Sequence, residues 1–116
     1  MRTIIYHNPR CSKSRETLAL LRERGLEPAV IDYLETPPDA ATIADLVARL
    51  GITPRALLRR GEAPCQALGL ADPTKTDAEI IAAMATHPVL IERPIVVHGE
   101  RAALGRPPQN VLAILG

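Results

Sequence analysis

A nucleophile with donors and positive charge on both sides stands in the run His7-Asn8-Pro9-Arg10-Cys11-Ser12-Lys13-Ser14-Arg15. The residues before it, Thr3-Ile4-Ile5-Tyr6, are apolar and β-branched and read as a buried strand. The residues after it carry Leu18, Leu21 and Leu20 near helical spacing, which predicts a helix from about Ser14 that stops near Gly25. Cys11 therefore falls where a strand ends and a helix begins. Unpaired backbone N–H groups and the positive end of the helix dipole converge at such a junction and favour a thiolate over a thiol. His7, Arg10, Lys13 and Arg15 add donors and charge nearby, and the same loop would hold an oxyanion by the same physics. Cys11-Ser12-Lys13-Ser14 also has the C-x-x-S form of monothiol redox sites. That spacing occurs by chance, and a lone cysteine near a helix start is more often a small buried hydrophobe than a nucleophile. A polar, cationic loop is wasteful around a core position, so its placement favours chemistry.

Cys65 lies 54 positions further on, after Pro64 in a polar segment, and is expected to be a bystander thiol. With no apolar stretch of membrane-spanning length and no signal-peptide-like run, the expected location is the cytoplasm, where a structural disulfide is not expected. The chain has 116 residues, 47% apolar and 23% charged, enough for one domain with a core and no staples. Phe and Trp are absent, so aliphatic side chains must fill that core. The formal charge of +1 gives no electrostatic case for nucleic acid or an anionic membrane. Twelve arginines stand against two lysines; base composition accounts for most of that bias, yet a rigid guanidinium fork suits oxyanions better than an ammonium. No metal-ligand cluster is visible, and a monomer is expected.

The elements that must position Cys11 follow from pattern. Pro28-Ala29-Val30-Ile31-Asp32-Tyr33 reads as a second strand, which with the first strand and helix makes a parallel βαβ unit. Asp39 can cap a helix bearing Ile43, Leu46, Val47 and Leu50 that stops at Gly51. Thr53-Pro54 starts a short helix through Arg59, and Thr76-Asp77-Ala78-Glu79 is a capping box opening another that ends before Pro88. Pro94-Ile95-Val96-Val97 is a third strand, turned at Gly99-Glu100 into a fourth at Arg101-Ala102-Ala103-Leu104. Pro107-Pro108 opens a last helix with Val111, Leu112, Ile114 and Leu115. The expectation is one α/β domain over residues 1–116 with the thioredoxin-like layout. A mixed four-stranded sheet is interrupted by a helical insertion at about residues 37–88.

Beyond the loop, the runs Tyr33-Leu34-Glu35-Thr36-Pro37-Pro38, Arg55-Ala56-Leu57-Leu58-Arg59, Glu92-Arg93-Pro94-Ile95-Val96-Val97 and Gly105-Arg106-Pro107-Pro108 occur in order and at sensible spacings. Together they resemble the arsenate reductases that use glutathione and glutaredoxin, most closely a subgroup with the loop H-N-P-R-C-S-K-S-R. The resemblance implies that Cys11 attacks arsenate to form a covalent adduct. Glutathione and then glutaredoxin would complete the reduction, and arsenite would leave. It implies that His7 favours the Cys11 thiolate and that Ser14 sits close to it. Arg59, Arg93 and Arg106 are expected to hold the oxyanion, and Pro94 to be the cis-proline opposite the cysteine. No bound cofactor is implied, glutathione being a co-substrate.

Each role has a plainer alternative. His7 could hydrogen-bond the loop backbone alone, and Arg59 and Arg60 could be solvated helix ends. Arg93 and Arg106 each precede proline, so both lie in extended or turn backbone able to face a cleft. His87 and His98 show no partner in sequence and read as surface residues. Two other functions compete. A related branch of this fold regulates transcription by binding RNA polymerase and senses oxidation with a C-x-x-C pair; Ser14 argues against that sensor but not against protein binding. A glutaredoxin-like thioltransferase is the other, and the three arginines argue against it, since it has no use for an anion cage.

Overall fold

The computed structural model describes residues 2–115. By contacts the chain divides into two compact units, Met1–Thr36 with Arg93–Gly116, and Pro37–Glu92. The first holds β1 (Thr3–His7), α1 (Ser12–Glu23), β2 (Ala29–Asp32), β3 (Ile95–His98) and β4 (Arg101–Leu104). Its sheet order is β2-β1-β3-β4, with β2 parallel to β1 and the other neighbours antiparallel. This is the mixed four-stranded sheet of a thioredoxin-like fold.

Alternation along β1 decides what faces α1. Thr3, Ile5 and His7 are all buried, as residues two apart on one face of a strand should be. Ile5 lies opposite Val96, which lies opposite Ala103. This rung packs with Leu21 of α1 and with Val111 and Ile114. The last two belong to a 3-10 helix, Pro108–Ile114, where an α-helix was expected. Its buried residues Pro108, Val111 and Ile114 are three apart, so a three-residue turn keeps all of them on the sheet. His98 differs from expectation as well. Opposite Thr3 in the register, its Nδ1 is 2.7 Å from Thr3 Oγ1.

The second unit is helical. It comprises α2 (Ala40–Leu50), α3 (Pro54–Leu57), α4 (Ala63–Ala67), α5 (Asp77–Thr86) and a 3-10 turn, Pro88–Leu90. Asp39, Thr53 and Thr76 cap α2, α3 and α5 by accepting the N–H three residues on. Gly51 ends α2 at φ 67°, the left-handed backbone that favours glycine. Helices α2, α3 and α5 pack together, burying Ile43, Leu46, Leu57, Ile80 and Met84. The insertion runs to residue 92 rather than 88, because the chain after α5 pairs back on the end of α3. Arg59 N–H donates to the Leu90 carbonyl at 2.7 Å and Glu92 N–H to the Leu57 carbonyl at 2.8 Å, around a bridge between Leu58 and Ile91.

Candidate active site

The helix that carries the thiol starts two residues earlier than periodicity implied, so Cys11 is itself the N-cap of α1, with φ −95° and ψ 123°. Local bonds shape the approach to it. Cys11 N–H donates to the Asn8 carbonyl at 3.0 Å and Arg10 N–H to Asn8 Oδ1 at 3.0 Å, closing a turn. The Arg15 guanidinium reaches back to the Pro9 carbonyl at 2.9 Å. Cys11 is half-buried, and its side chain makes no close cap hydrogen bond.

Burial by itself would push the Cys11 pKa up. The Ser14 N–H, the charge of Arg93, the Lys13 N–H and a hydrogen bond from Arg93 outweigh it, holding the thiol below the ordinary value. Two of the expected arginines thus meet the sulfur within the sheet unit. Arg93, whose Nε and Nη1 are shielded from solvent, sits at the entry to β3. Arg106, past the end of β4, places Nη1 4.0 Å from Cys11 Sγ and 3.3 Å from the Arg93 carbonyl oxygen. The Arg93–Pro94 and Arg106–Pro107 peptide bonds are both cis; the second was not anticipated.

Ser14 and His7 are arranged differently from a simple cluster about the sulfur. Ser14 faces the thiol with its backbone N–H, while its buried side chain turns toward β1. There Ser14 Oγ accepts the Asn8 N–H at 3.0 Å and lies 2.6 Å from His7 Nδ1. Burial lowers the His7 pKa; Asp32, opposite it on β2, acts the other way, and Arg22 and Arg15 reinforce the lowering. Bonded to Ser14, the His7 ring ties the end of β1 to the first turn of α1.

Arg59 belongs to the helical unit, in the extended stretch after α3 rather than on a helix end. Its guanidinium pairs with Glu62 at 2.7 Å and with Glu92 at 3.8 Å. Cys65 lies inside α4, a five-residue helix that sequence periodicity does not reveal, and is 2% exposed. Two further residues of the sheet unit carry no role in the sequence reading, Thr17 and Gly105, the latter present there only as the first residue of the run Gly105-Arg106-Pro107-Pro108. Thr17 is fully buried on α1, and Gly105 ends β4 against it and against Pro94. An isolated glycine closing a strand is the available signal for such a close approach. Among the described residues no group of three or more His, Cys, Asp or Glu side chains could hold a metal, and no helix is long and apolar enough to cross a membrane.

The fold and the site define a thioredoxin-like protein with a half-buried thiol, its pKa lowered, at the start of its first helix. Residues 6–114 match the model of the ArsC family. An arsenate reductase of Yersinia enterocolitica is 51% identical over 111 residues, covering 96% of this chain and 79% of that protein. The uncharacterised protein YfgD of Escherichia coli K12 is 55% identical over 113 residues, covering 97% of this chain and 95% of that one. The solved structure of an arsenate reductase from Vibrio cholerae superposes with a TM-score of 0.96 at 52% identity, over 99% of this chain and 98% of that one. The chain belongs to the ArsC family.

Proposed function

We propose that this protein reduces arsenate to arsenite through a covalent adduct on Cys11. The reading is carried by one arrangement. A thiol whose ionised form is favoured sits at a helix N-terminus between the guanidinium groups of Arg93 and Arg106. The thiolate attacks arsenic, a sulfur–arsenic bond forms, and an arsenate oxygen leaves as water after protonation. The N–H groups and arginines that favour negative charge on sulfur also suit the oxyanion that approaches it. Glutathione and glutaredoxin then supply one thiol each. The glutathione sulfur bonds arsenic as a second oxygen leaves as water. The glutaredoxin thiolate attacks that sulfur, and the two leave as a mixed disulfide with the bonding electron pair left on arsenic. Water then cleaves the Cys11–arsenic bond, releasing arsenite and the free thiol.

Ser14 acts on the thiolate through its N–H, and His7 acts by holding Ser14 Oγ in place. Arg59 is the third oxyanion ligand, supported by its match to the family run Arg55-Ala56-Leu57-Leu58-Arg59 alone. The identities of about 50% to named arsenate reductases support the substrate. Purified protein with arsenate, glutathione, glutaredoxin and a coupled NADPH readout tests it. Arsenate-dependent NADPH oxidation that disappears in Cys11→Ser is expected. Turnover of glutathione mixed disulfides with none on arsenate would replace the reading with a thioltransferase.

A further inference from the structure

We propose that Thr17 and Gly105 are positioning residues for the Cys11 chemistry: their contact sets the spacing between the helix that carries the thiol and the two strand ends that carry Arg93 and Arg106. The inference rests on Cys11 being the nucleophile and goes beyond the residues that meet the sulfur. Thr17 stands six positions after Cys11 on α1, fully buried, its hydroxyl donating to the Lys13 carbonyl at 2.7 Å with the Gly105 carbonyl 3.5 Å away. Gly105 N–H donates to the Pro94 carbonyl at 3.0 Å. A methyl group on Gly105 would stand 2.8 Å from Pro94 Cγ and 3.0 Å from Thr17 Cγ2, and closer still to Thr17 Oγ1. The glycine has no space on either side, so its lack of a side chain is a matter of thickness.

The chain neighbours give that thickness its consequence. Pro94 follows Arg93, Gly105 precedes Arg106, and Arg106 Nη1 donates to the Arg93 carbonyl at 3.3 Å. Any widening at Gly105 therefore moves both guanidinium groups relative to the Cys11 sulfur. Misplacing a reacting arrangement by about 1 Å is enough to lose on the order of a hundredfold in rate.

The test uses the full chain. Iodoacetamide alkylation of Cys11 is followed against pH by peptide mass, with urea unfolding to verify folding and arsenate turnover measured in parallel. Gly105→Ala is expected to raise the alkylation midpoint and lower kcat/KM by about tenfold or more. Gly105→Ala with Thr17→Ala should recover part of both, because the threonine hydroxyl and methyl that crowd the new Cβ are gone. A folded Gly105→Ala protein with the wild-type alkylation profile, or a double variant with no recovery, overturns the proposal. If Gly105→Ala does not fold, Thr17→Ala and Thr17→Ser carry the test. The serine keeps the hydroxyl contacts and should follow wild type, the alanine should not, and identical profiles for all three overturn it. Alkylation requires no arsenate, so a wild-type protein inert toward arsenate would remove the proposed function without deciding this one.

Discussion

The two cysteines occupy opposite kinds of helical position. Cys11 caps the twelve-residue α1 with extended backbone, half-exposed, and faces N–H groups that no helical carbonyl satisfies. Cys65 lies within the five-residue α4, where its own N–H is bonded to the Glu62 carbonyl, its carbonyl accepts from Leu70, and its side chain is 2% exposed. The same thiol is a candidate nucleophile in one place and a small core side chain in the other. What differs is access to unpaired donors and to solvent, not the residue itself.

That contrast breaks most sharply under substitution of the sulfur. Cys11→Ser should lower arsenate turnover by at least about a thousandfold with the fold intact, because an alcohol at a helix N-terminus stays protonated. Residual turnover close to wild type in the NADPH-coupled assay would move the nucleophile elsewhere. Arg93→Lys and Arg106→Lys come next, at about a ten- to hundredfold loss in kcat/KM each. A point charge cannot reproduce the fork, and one charge-assisted bond is worth roughly 1.5–3 kcal/mol. Kinetics equal to wild type would reduce both to surface charges.

Arg59 sharpens the comparison between the units. If it is the third oxyanion ligand, Arg59→Ala raises the arsenate KM about tenfold or more. If its partners are only Glu62 and Glu92, substitution costs about 1 kcal/mol or less in stability and leaves KM alone. Steady-state kinetics beside urea unfolding separates the two.

The pH response has a definite sign. A thiol whose pKa is lower in the folded than in the unfolded chain binds fewer protons when folded. Cys11 therefore adds stability that is fully present above the ordinary thiol pKa and is lost as pH falls through its folded value. The stability difference between wild type and Cys11→Ser should accordingly be largest in alkaline buffer and fade on acidification. Arg93→Ala should raise the midpoint of Cys11 alkylation. The smallest kinetic effect belongs to Cys65→Ser. It places a hydroxyl in a buried site at about 1–3 kcal/mol, read as a lower urea midpoint, with arsenate turnover within about twofold of wild type. A folded but inactive Cys65→Ser would make Cys65 a resolving thiol.

What was legible in the sequence was local. The caps at Asp39, Thr53 and Thr76 are geometry between a residue and the N–H three positions on, so composition and spacing suffice to find them. The strand before Cys11 and the helix after it are equally a matter of period, and with them the junction that favours a thiolate. Helix α4 and the turn Pro88–Leu90 escaped because they are too short to show a period. The roles of Arg93 and Arg106 rested on resemblance, since nothing within either run points to a partner more than eighty positions away. Only the pairing of β3 antiparallel to β1, and of β4 antiparallel to β3, brings both to the sulfur. The tertiary structure likewise turned the Ser14 side chain to His7 and made His98 the partner of Thr3. It pressed Gly105 against Thr17 and Pro94 as well. Hydrogen-bond register and close packing between distant segments decide such contacts, and neither is written in the neighbours of any one residue.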